Sequence, residues 1–136
     1  MTQRAINPEK LPATVGDFGV SAGIATDNML FISGQTPLDG NFRVMGNTFE
    51  EQTRIVFDAI TTVLGEAGFN WDDMVKMTAF VCTPDRSALT TYCTLLKEYL
   101  ARYSSKTSVA HTYMLIGEMQ VPEMMIEVEG IAVKQK

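Results

Sequence analysis

One long stretch of the chain repeats its apolar residues three and four positions apart, which is the period of a helix with one buried face. The repeating residues are Val56, Ala59, Ile60, Val63, Leu64 and Ala67. Thr48 and Glu51 before them have the spacing of a capping box, and Gly65 and Gly68 are typical of a helix end. The pattern predicts an amphipathic helix that begins at Thr48 and ends at these glycines.

A second helix is predicted after Thr83, Pro84 and Asp85, because this segment breaks an apolar run and can start a helix. Its apolar stripe consists of Leu89, Tyr92, Cys93, Leu96, Tyr99 and Leu100. Ser104 and Ser105 mark its end. The stripe indicates that this helix also buries one side against the rest of the protein.

Apolar and alternating segments of strand length surround the two helices. The predicted strands span residues 18–25, 29–33, 74–82, 106–113 and 124–133. The turn residues Thr26, Asp27 and Asn28 separate the first two, so we expect a β-hairpin there. Residues 34–47 are rich in turn residues and predict an ordered loop. After the loop come a helix, a strand, the second helix and two strands, which gives the order β-β-α-β-α-β-β.

The strands at 74–82 and 124–133 have two distinct faces. The first of them has one face made of Val75, Met77, Ala79 and Val81. The second has Ile126, Val128 and Ala132 on one face and Met125, Glu127, Glu129 and Ile131 on the other. Both helices must bury their stripes, which predicts one α+β domain over residues 1–136. We expect a two-layer sandwich in which both helices cover one face of a mainly antiparallel, mixed sheet. The uncovered face is also apolar, so we expect a closed homo-oligomer.

The balance of charge argues against several classes of partner. The 136 residues include 16 acidic and 11 basic side chains, and the net charge is -5. An acidic protein is not attracted to nucleic acid or to an anionic membrane, so we expect neither as the main partner. No apolar run approaches the roughly 20 residues that span a bilayer, and the first residues lack the apolar core of a signal peptide. We therefore expect a cytoplasmic protein.

The numbers and spacing of the cysteine and histidine residues exclude several kinds of metal and catalytic site. Cys82 and Cys93 fit no metal-ligand spacing and are too few for a disulfide scaffold. His111 is the single histidine, which argues against a histidine-based metal site and a Ser-His-Asp triad. We expect no metal. We interpret both cysteines as small buried apolar residues rather than reactive thiols, and His111 as structural rather than cleft-facing.

Four segments together resemble the RidA/YjgF family, and the resemblance covers nearly the whole chain, from about Val15 to Val133. They are LFISGQTPLDG, the helix EEQTRIVFDAITTVLGEAGF, the strand DMVKMTAFV and the closing EVEGIAV. The resemblance implies a chorismate-mutase-like fold, a homotrimer with a central sheet barrel, and ligand clefts between neighbouring subunits. It also implies hydrolysis of enamine and imine products of pyridoxal-phosphate enzymes, such as 2-aminoacrylate and 2-iminobutanoate. The products are 2-keto acids and ammonia, and no metal or organic cofactor takes part.

Some residues of the family's substrate site have matching residues in this chain. Ser33, Gly34 and Glu127 match the family's turn and its water-positioning glutamate. The motif whose arginine holds the substrate carboxylate falls on residues 106–109, where Lys106 replaces the arginine and Ser108 replaces a frequent cysteine.

Two further site positions match less well. The family's first-strand tyrosine falls on Phe18 or Val20, and its asparagine on the second helix falls near Cys93. The chain also has a longer segment at about 113–120, which we interpret either as a lid over the cleft or as an extra subunit contact.

The side chains at these positions leave several roles open. Lys106 can anchor a carboxylate, form a Schiff base, or lie solvated near a helix end, and it lacks the bidentate geometry of arginine. Glu127 can orient water or move a proton, whereas we interpret Glu129 as a solvated edge charge. Gly34 can bring backbone N–H groups to an anion, or serve only the turn. Ser108 can hydrogen-bond a ligand but has no base beside it.

The family resemblance and the altered site residues together leave three possible functions. The first is hydrolytic deamination of a small enamine or imine acid at clefts between subunits of a homotrimer. The second is lyase or tautomerase chemistry on another small acid or nitrogen compound. The third is binding of a small carboxylate without turnover, which the replacement of the arginine favours. A shared fold does not by itself decide among them.

Overall fold

The structure is a computed structural model that describes residues 2–12 and 18–135. Val15, where the family resemblance begins, lies outside the described residues. The strands are β1 (Arg4–Ile6), β2 (Gly23–Ala25), β3 (Met29–Gln35), β4 (Met74–Val81), β5 (Ala110–Leu115) and β6 (Ile126–Val133). The helices are α1 (Phe49–Ala67) and α2 (Ala88–Tyr103), and a short 3-10 turn (Trp71–Asp73) precedes β4.

The six strands form one mixed sheet in the order β1-β2-β3-β6-β4-β5. β4 and β5 are parallel, and all other neighbours are antiparallel. Both helices pack on the same face of this sheet, which confirms the predicted α+β two-layer sandwich. None of the helices in the part of the chain that the structure describes is long and apolar enough to cross a membrane.

Helix α1 forms where the sequence predicts it, because its ends are capped. The Thr48 hydroxyl accepts a hydrogen bond from the Glu51 backbone N–H at 3.1 Å, and the Glu51 carboxylate accepts one from the Thr48 N–H. Gly68 ends the helix with a φ of 78°, a left-handed conformation that glycine adopts without strain. All six residues of the predicted stripe are buried.

The main core lies between the helices and the sheet. Phe57 stacks edge-on against Trp71, Tyr92 and Tyr99, with ring centroids 5.1–6.0 Å apart. From the sheet side, β3, β4 and β6 contribute alternate residues such as Leu30, Met77 and Val128, all of them buried. This core fixes the positions of β3 and β6, and the candidate site lies where β3 ends and β6 begins.

The N-terminal strands differ from the prediction. β1 was not predicted, because three residues are too short for a periodic signal. The predicted first hairpin strand, residues 18–25, is shortened to β2, since the Ala22 N–H donates to the Asn7 side chain at 3.0 Å instead of continuing the ladder. Phe18 therefore lies outside the sheet. β3 in turn extends beyond Ser33 to Gln35.

Helix α2 is rotated relative to the predicted stripe. Leu89 and Cys93 are exposed, whereas Leu95, which the stripe omitted, is buried with Tyr92 and Tyr99. The interpretation of Cys93 as a buried apolar residue is wrong, and Cys82 is half-buried. A stripe anchored on Tyr92, with neighbours three, seven and eight positions later, accounts for the observed burial.

Two strand predictions need a local correction. Val75 is 38% exposed because the pairing of β4 with β6 shifts between Met74 and Lys76, so that Met74 takes the inward position. β5 begins at Ala110, so Lys106 and Ser108 lie in an irregular segment before it. An extra residue at a bulge reverses which side chains face the core.

The sheet face opposite the helices, here called the outer face, carries both apolar and charged residues. They include Ile24, Phe31, Lys76, Phe80, Glu127, Glu129 and Ile131. Phe31 is 43% exposed, and the Lys76 ammonium donates to the Thr112 hydroxyl at 2.7 Å. The predicted homotrimer would bury this face.

Candidate functional site

A cleft of about 540 Å³ opens at the end of β3, beyond the point where β2 stops. Its floor is the segment from Ser33 to Thr36, one wall is helix α1, and the other sides are the N-terminal segment and the loop at 36–45. Glu127 and Gln120 also line it. Four of the predicted site residues, Phe18, Ser33, Gly34 and Glu127, therefore meet in one cleft.

Gly34 lies directly against Glu127. The ladder between β3 and β6 is interrupted between Ile32 and Gln35, so Gly34 sits in a bulge. A Cβ atom added to Gly34 would lie 2.8 Å from Cδ and 2.9 Å from Cγ of Glu127. Real Cβ atoms essentially never approach other heavy atoms so closely. Glycine is thus required here for the close approach of the carboxylate to the backbone.

The turn around Ser33 is held by hydrogen bonds. The Ser33 hydroxyl donates to the Ser21 carbonyl at 2.6 Å, and the Ser33 N–H donates to the Ala22 carbonyl at 3.0 Å. The Gln35 side-chain amide donates to the carbonyls of Ala22 and Ser33. Because the hydroxyl proton of Ser33 is already committed, this side chain presents acceptor lone pairs to the cleft.

Glu127 is half-buried and its carboxylate has two different neighbours. The Gln120 side-chain amide donates to Oε2 at 3.3 Å, while Oε1 faces Gly34. The predicted alternation of β6 is confirmed, and it places Glu127 and Glu129 on the outer face. Glu129 is exposed, in keeping with its interpretation as an edge charge.

Gln120 belongs to the β5–β6 connection, residues 116–125, and is the residue of this connection that lines the cleft. A small apolar cluster of Leu38, Met119 and Met124 packs this connection against the loop at 36–45. The buried Gln52 of α1 fixes it further, because its amide donates to the Glu123 carbonyl at 3.0 Å and its oxygen accepts the Met125 N–H at 2.8 Å. Sequence reasoning missed Gln52 and Gln120, since a lone glutamine gives no pattern.

Lys106, Ser108 and Cys93 do not line this cleft. The Lys106 ammonium donates to the Met74 carbonyl at 3.1 Å, at the start of β4, whereas Glu127 pairs with Phe80 near its end. Six positions along a strand correspond to about 20 Å. A single chain therefore does not bring Lys106 and Glu127 together. Ser108 and Cys93 are both exposed.

The described lining of the cleft is acidic. It contains the carboxylates of Asp39, Asp58 and Glu127 and the ammonium of Lys10. Hydrogen bonds from the backbone N–H groups of Arg43 and Asn41 lower the pKa of Asp39, so this carboxylate stays charged. Among the residues that the structure describes, no group of three or more His, Cys, Asp or Glu side chains could hold a metal ion.

His111 faces helix α2 and not the cleft. Its Nε2 lies 2.6 Å from the Tyr92 hydroxyl. Burial lowers the pKa of His111, with a smaller contribution from Lys76, and burial raises the pKa of Tyr92. Both shifts favour the neutral pair, in which the tyrosine donates to the imidazole. The structural role expected for His111 agrees with this geometry.

Comparisons with known proteins support the family resemblance. Residues 9–134 match the family model described as endoribonuclease L-PSP. The chain belongs to this family. Among its L-PSP relatives, a RutC family protein of Saccharolobus solfataricus is 31% identical, and the match covers 93% of this chain and 94% of the relative. The Escherichia coli protein named "Putative reactive intermediate deaminase TdcF" is 22% identical over 97% of this chain and 98% of its own.

The solved structures of L-PSP relatives show the same fold. The crystal structure of the YjgF gene product from E. coli is 26% identical, covers 97% of this chain and 99% of its own, and superposes with a TM-score of 0.82. The predicted RidA/YjgF membership and the chorismate-mutase-like sandwich are thereby confirmed.

Proposed function

We propose that the protein hydrolyses the C=N bond of a 2-imino acid. Water adds to the imine carbon, the C–N bond breaks, and the products are a 2-keto acid and ammonia, so that one water is consumed for each ammonia released. The observation that carries the proposal is the carboxylate of Glu127 held against the Gly34 backbone inside a cleft. The distant relationship to a protein named as a reactive intermediate deaminase supports it.

Glu127 is the group that we assign to the water. Its Oε2 is held by Gln120, which leaves Oε1, beside Gly34, to accept a proton from a water molecule attacking the imine carbon. A protonated imine is already electrophilic, so positioned water and one carboxylate suffice for the reaction.

Gly34 and Lys106 are the groups that we assign to the substrate carboxylate. The bulge leaves Gly34 without a partner in the β3–β6 ladder, so its backbone N–H can donate a hydrogen bond to an anion. Lys106 lies about 20 Å along the sheet from Glu127, so it can reach the cleft only as the residue of a second copy. The proposal therefore includes a homotrimer whose copies meet through the outer face.

The test is release of ammonia from an imine that is generated in the assay. A pyridoxal-phosphate-dependent dehydratase produces 2-aminoacrylate, which tautomerises to 2-iminopropanoate, or the corresponding precursor of 2-iminobutanoate. The rate of ammonia release is compared with spontaneous hydrolysis. Glu127→Gln should lower kcat by about 10²- to 10⁴-fold, the usual contribution of a positioned general base. Glu66→Gln, which changes an exposed glutamate of α1 that does not line the cleft, should leave kcat unchanged. A wild-type rate equal to the spontaneous rate, or an undiminished Glu127→Gln variant, would refute the proposal.

A second candidate is binding of a 2-keto acid without turnover. The observation that favours it is the engagement of the Lys106 ammonium with the Met74 carbonyl, which occupies a group that the first function needs. Calorimetric titration with 2-ketobutyrate separates the two. Binding that persists in Lys106→Ala, together with no acceleration of any imine, would support this second function over the first.

A further inference from the structure

Two aromatic rings meet at the mouth of the cleft. Phe18 and Phe42 contact each other edge-on, with ring centroids 5.9 Å apart and planes at 88°. Both line the cleft, and they are 65% and 48% exposed. Two lining rings thus keep a large exposed apolar surface, which is the arrangement that an additional aromatic ring can extend.

The loop that carries Phe42 is built to hold this ring in place. Phe42 has a φ of 59°, a left-handed conformation that is unfavourable for an aromatic residue. The Asp39 carboxylate stabilises it by accepting the N–H groups of Asn41 and Arg43 at 2.8 and 2.9 Å, and the Phe42 N–H donates to the Asp39 carbonyl. Asparagine or glycine would adopt this backbone more easily, so a phenylalanine here indicates a use for its side chain.

The size of the cleft also indicates a ligand with a large side chain. About 540 Å³ lies within the range of roughly 300–1,000 Å³ that receives drug-sized ligands, far more than a three-carbon imino acid fills. Leu38, Met45 and Val20 line the cleft together with the two rings, and Gly34 and Glu127 line the same cleft. The cleft thus combines the two residues assigned to the reaction with a substantial apolar lining.

We propose that the preferred substrate is a 2-imino acid with an aromatic side chain. Its imine and carboxylate lie at Gly34 and Glu127, and its ring packs against Phe18 and Phe42. This inference rests on the proposed function for the reaction itself, and it adds the chemical class of the side chain.

The experiment compares the imines of phenylalanine and alanine, both generated in the assay by one amino-acid oxidase. Wild-type kcat/KM should be at least about tenfold higher for the aromatic imine, in keeping with the 10- to 200-fold range of apolar side-chain discrimination. Phe42→Gly keeps the left-handed backbone and should lower this ratio about tenfold, while Phe42→Tyr should preserve it. Leu89→Ala, which alters a side chain on α2 with the same 48% exposure, should not change the ratio.

Binding of the products distinguishes failure of this inference from failure of the proposed function. Calorimetric titration with 3-phenylpyruvate should give a Kd at least about tenfold lower than titration with pyruvate, and Phe42→Gly should remove the difference. If no imine is hydrolysed but this difference is found, the reaction is wrong and the aromatic site stands. If both imines are hydrolysed equally well and Phe42→Gly has no effect, the inference is overturned and the proposed reaction stands. Equal binding of both keto acids without hydrolysis overturns both.

Discussion

Replacement of Gly34 by alanine tests the contact on which the candidate site depends. The new Cβ would lie 2.8 and 2.9 Å from two carbons of the Glu127 side chain, well inside the roughly 3.5–4.0 Å of a favourable carbon–carbon contact. Glu127 is half-buried and can turn away toward solvent. We therefore expect the carboxylate to move and the fold to remain.

The magnitude of the effect differs for stability and for rate. Moving Glu127 gives up its hydrogen bond to Gln120 and strains a rotamer, each worth about 0.5–1.5 kcal/mol, so the free energy of unfolding should fall by about 1–3 kcal/mol. A displacement of about 1 Å of a positioned catalytic group costs about 100-fold in rate. Gly34→Ala should thus lose about 100-fold in kcat while the protein remains folded.

Two other glycines supply the controls in urea unfolding and imine hydrolysis. A Cβ on Gly130 would lie 3.0 Å from the Met74 sulfur and 3.1 Å from the Lys76 carbonyl, so Gly130→Ala should destabilise by about 1–3 kcal/mol and leave kcat unchanged. Gly65 lies in α1 with open space around it, and Gly65→Ala should stabilise by about 0.5–1 kcal/mol. If Gly34→Ala retains wild-type kcat, or if Gly130→Ala loses kcat to the same extent, the assigned role of Glu127 is wrong.

Three further changes have defined outcomes. Gln52→Met leaves the backbone partners of a buried amide unsatisfied and should lower the free energy of unfolding by about 2–3 kcal/mol in urea titrations. Gln120→Met removes the donor to Glu127 and should lower kcat about fivefold to tenfold with KM unchanged, whereas Glu118→Gln, on the same connection, should have no effect. Because burial lowers the pKa of His111, the unfolded chain takes up a proton that the folded chain does not as the pH falls below about 6.5. Stability should therefore decline in that range, and more steeply than in His111→Gln.

The sequence predicted those elements whose signal is local. Helix α1 has a capping box, a continuous stripe and a terminal glycine, and all three act within a few residues of one another. Gly34 and Glu127 were identified through the family resemblance, and the structure shows the physical reason for their pairing, which is a contact between two strands about 90 residues apart in the chain. No local sequence pattern can predict such a contact.

The elements that were misread depend on tertiary context. Val75 was assigned to the buried face because strict alternation was assumed, but the bulge beside Met74 is set by pairing with β6. The apolar pattern of α2 predicts that Leu89 is buried, because leucine is more often buried than exposed. In the structure, the aromatic cluster around Phe57 decides which side of α2 turns inward. The left-handed backbone of Phe42 likewise depends on Asp39 and not on the residue itself.

The charge of the cleft bears on how an anionic substrate could bind. Within one chain the described lining sets three carboxylates, those of Asp39, Asp58 and Glu127, against one ammonium, that of Lys10. A 2-imino acid would add a further negative charge, and like charges in a partly desolvated cleft repel one another. A second cation is therefore needed for the proposed reaction. Within one chain, Lys106 lies about 20 Å from Glu127, so it can supply this cation only from a second copy. The proposed reaction therefore requires the proposed contact between copies through the outer face.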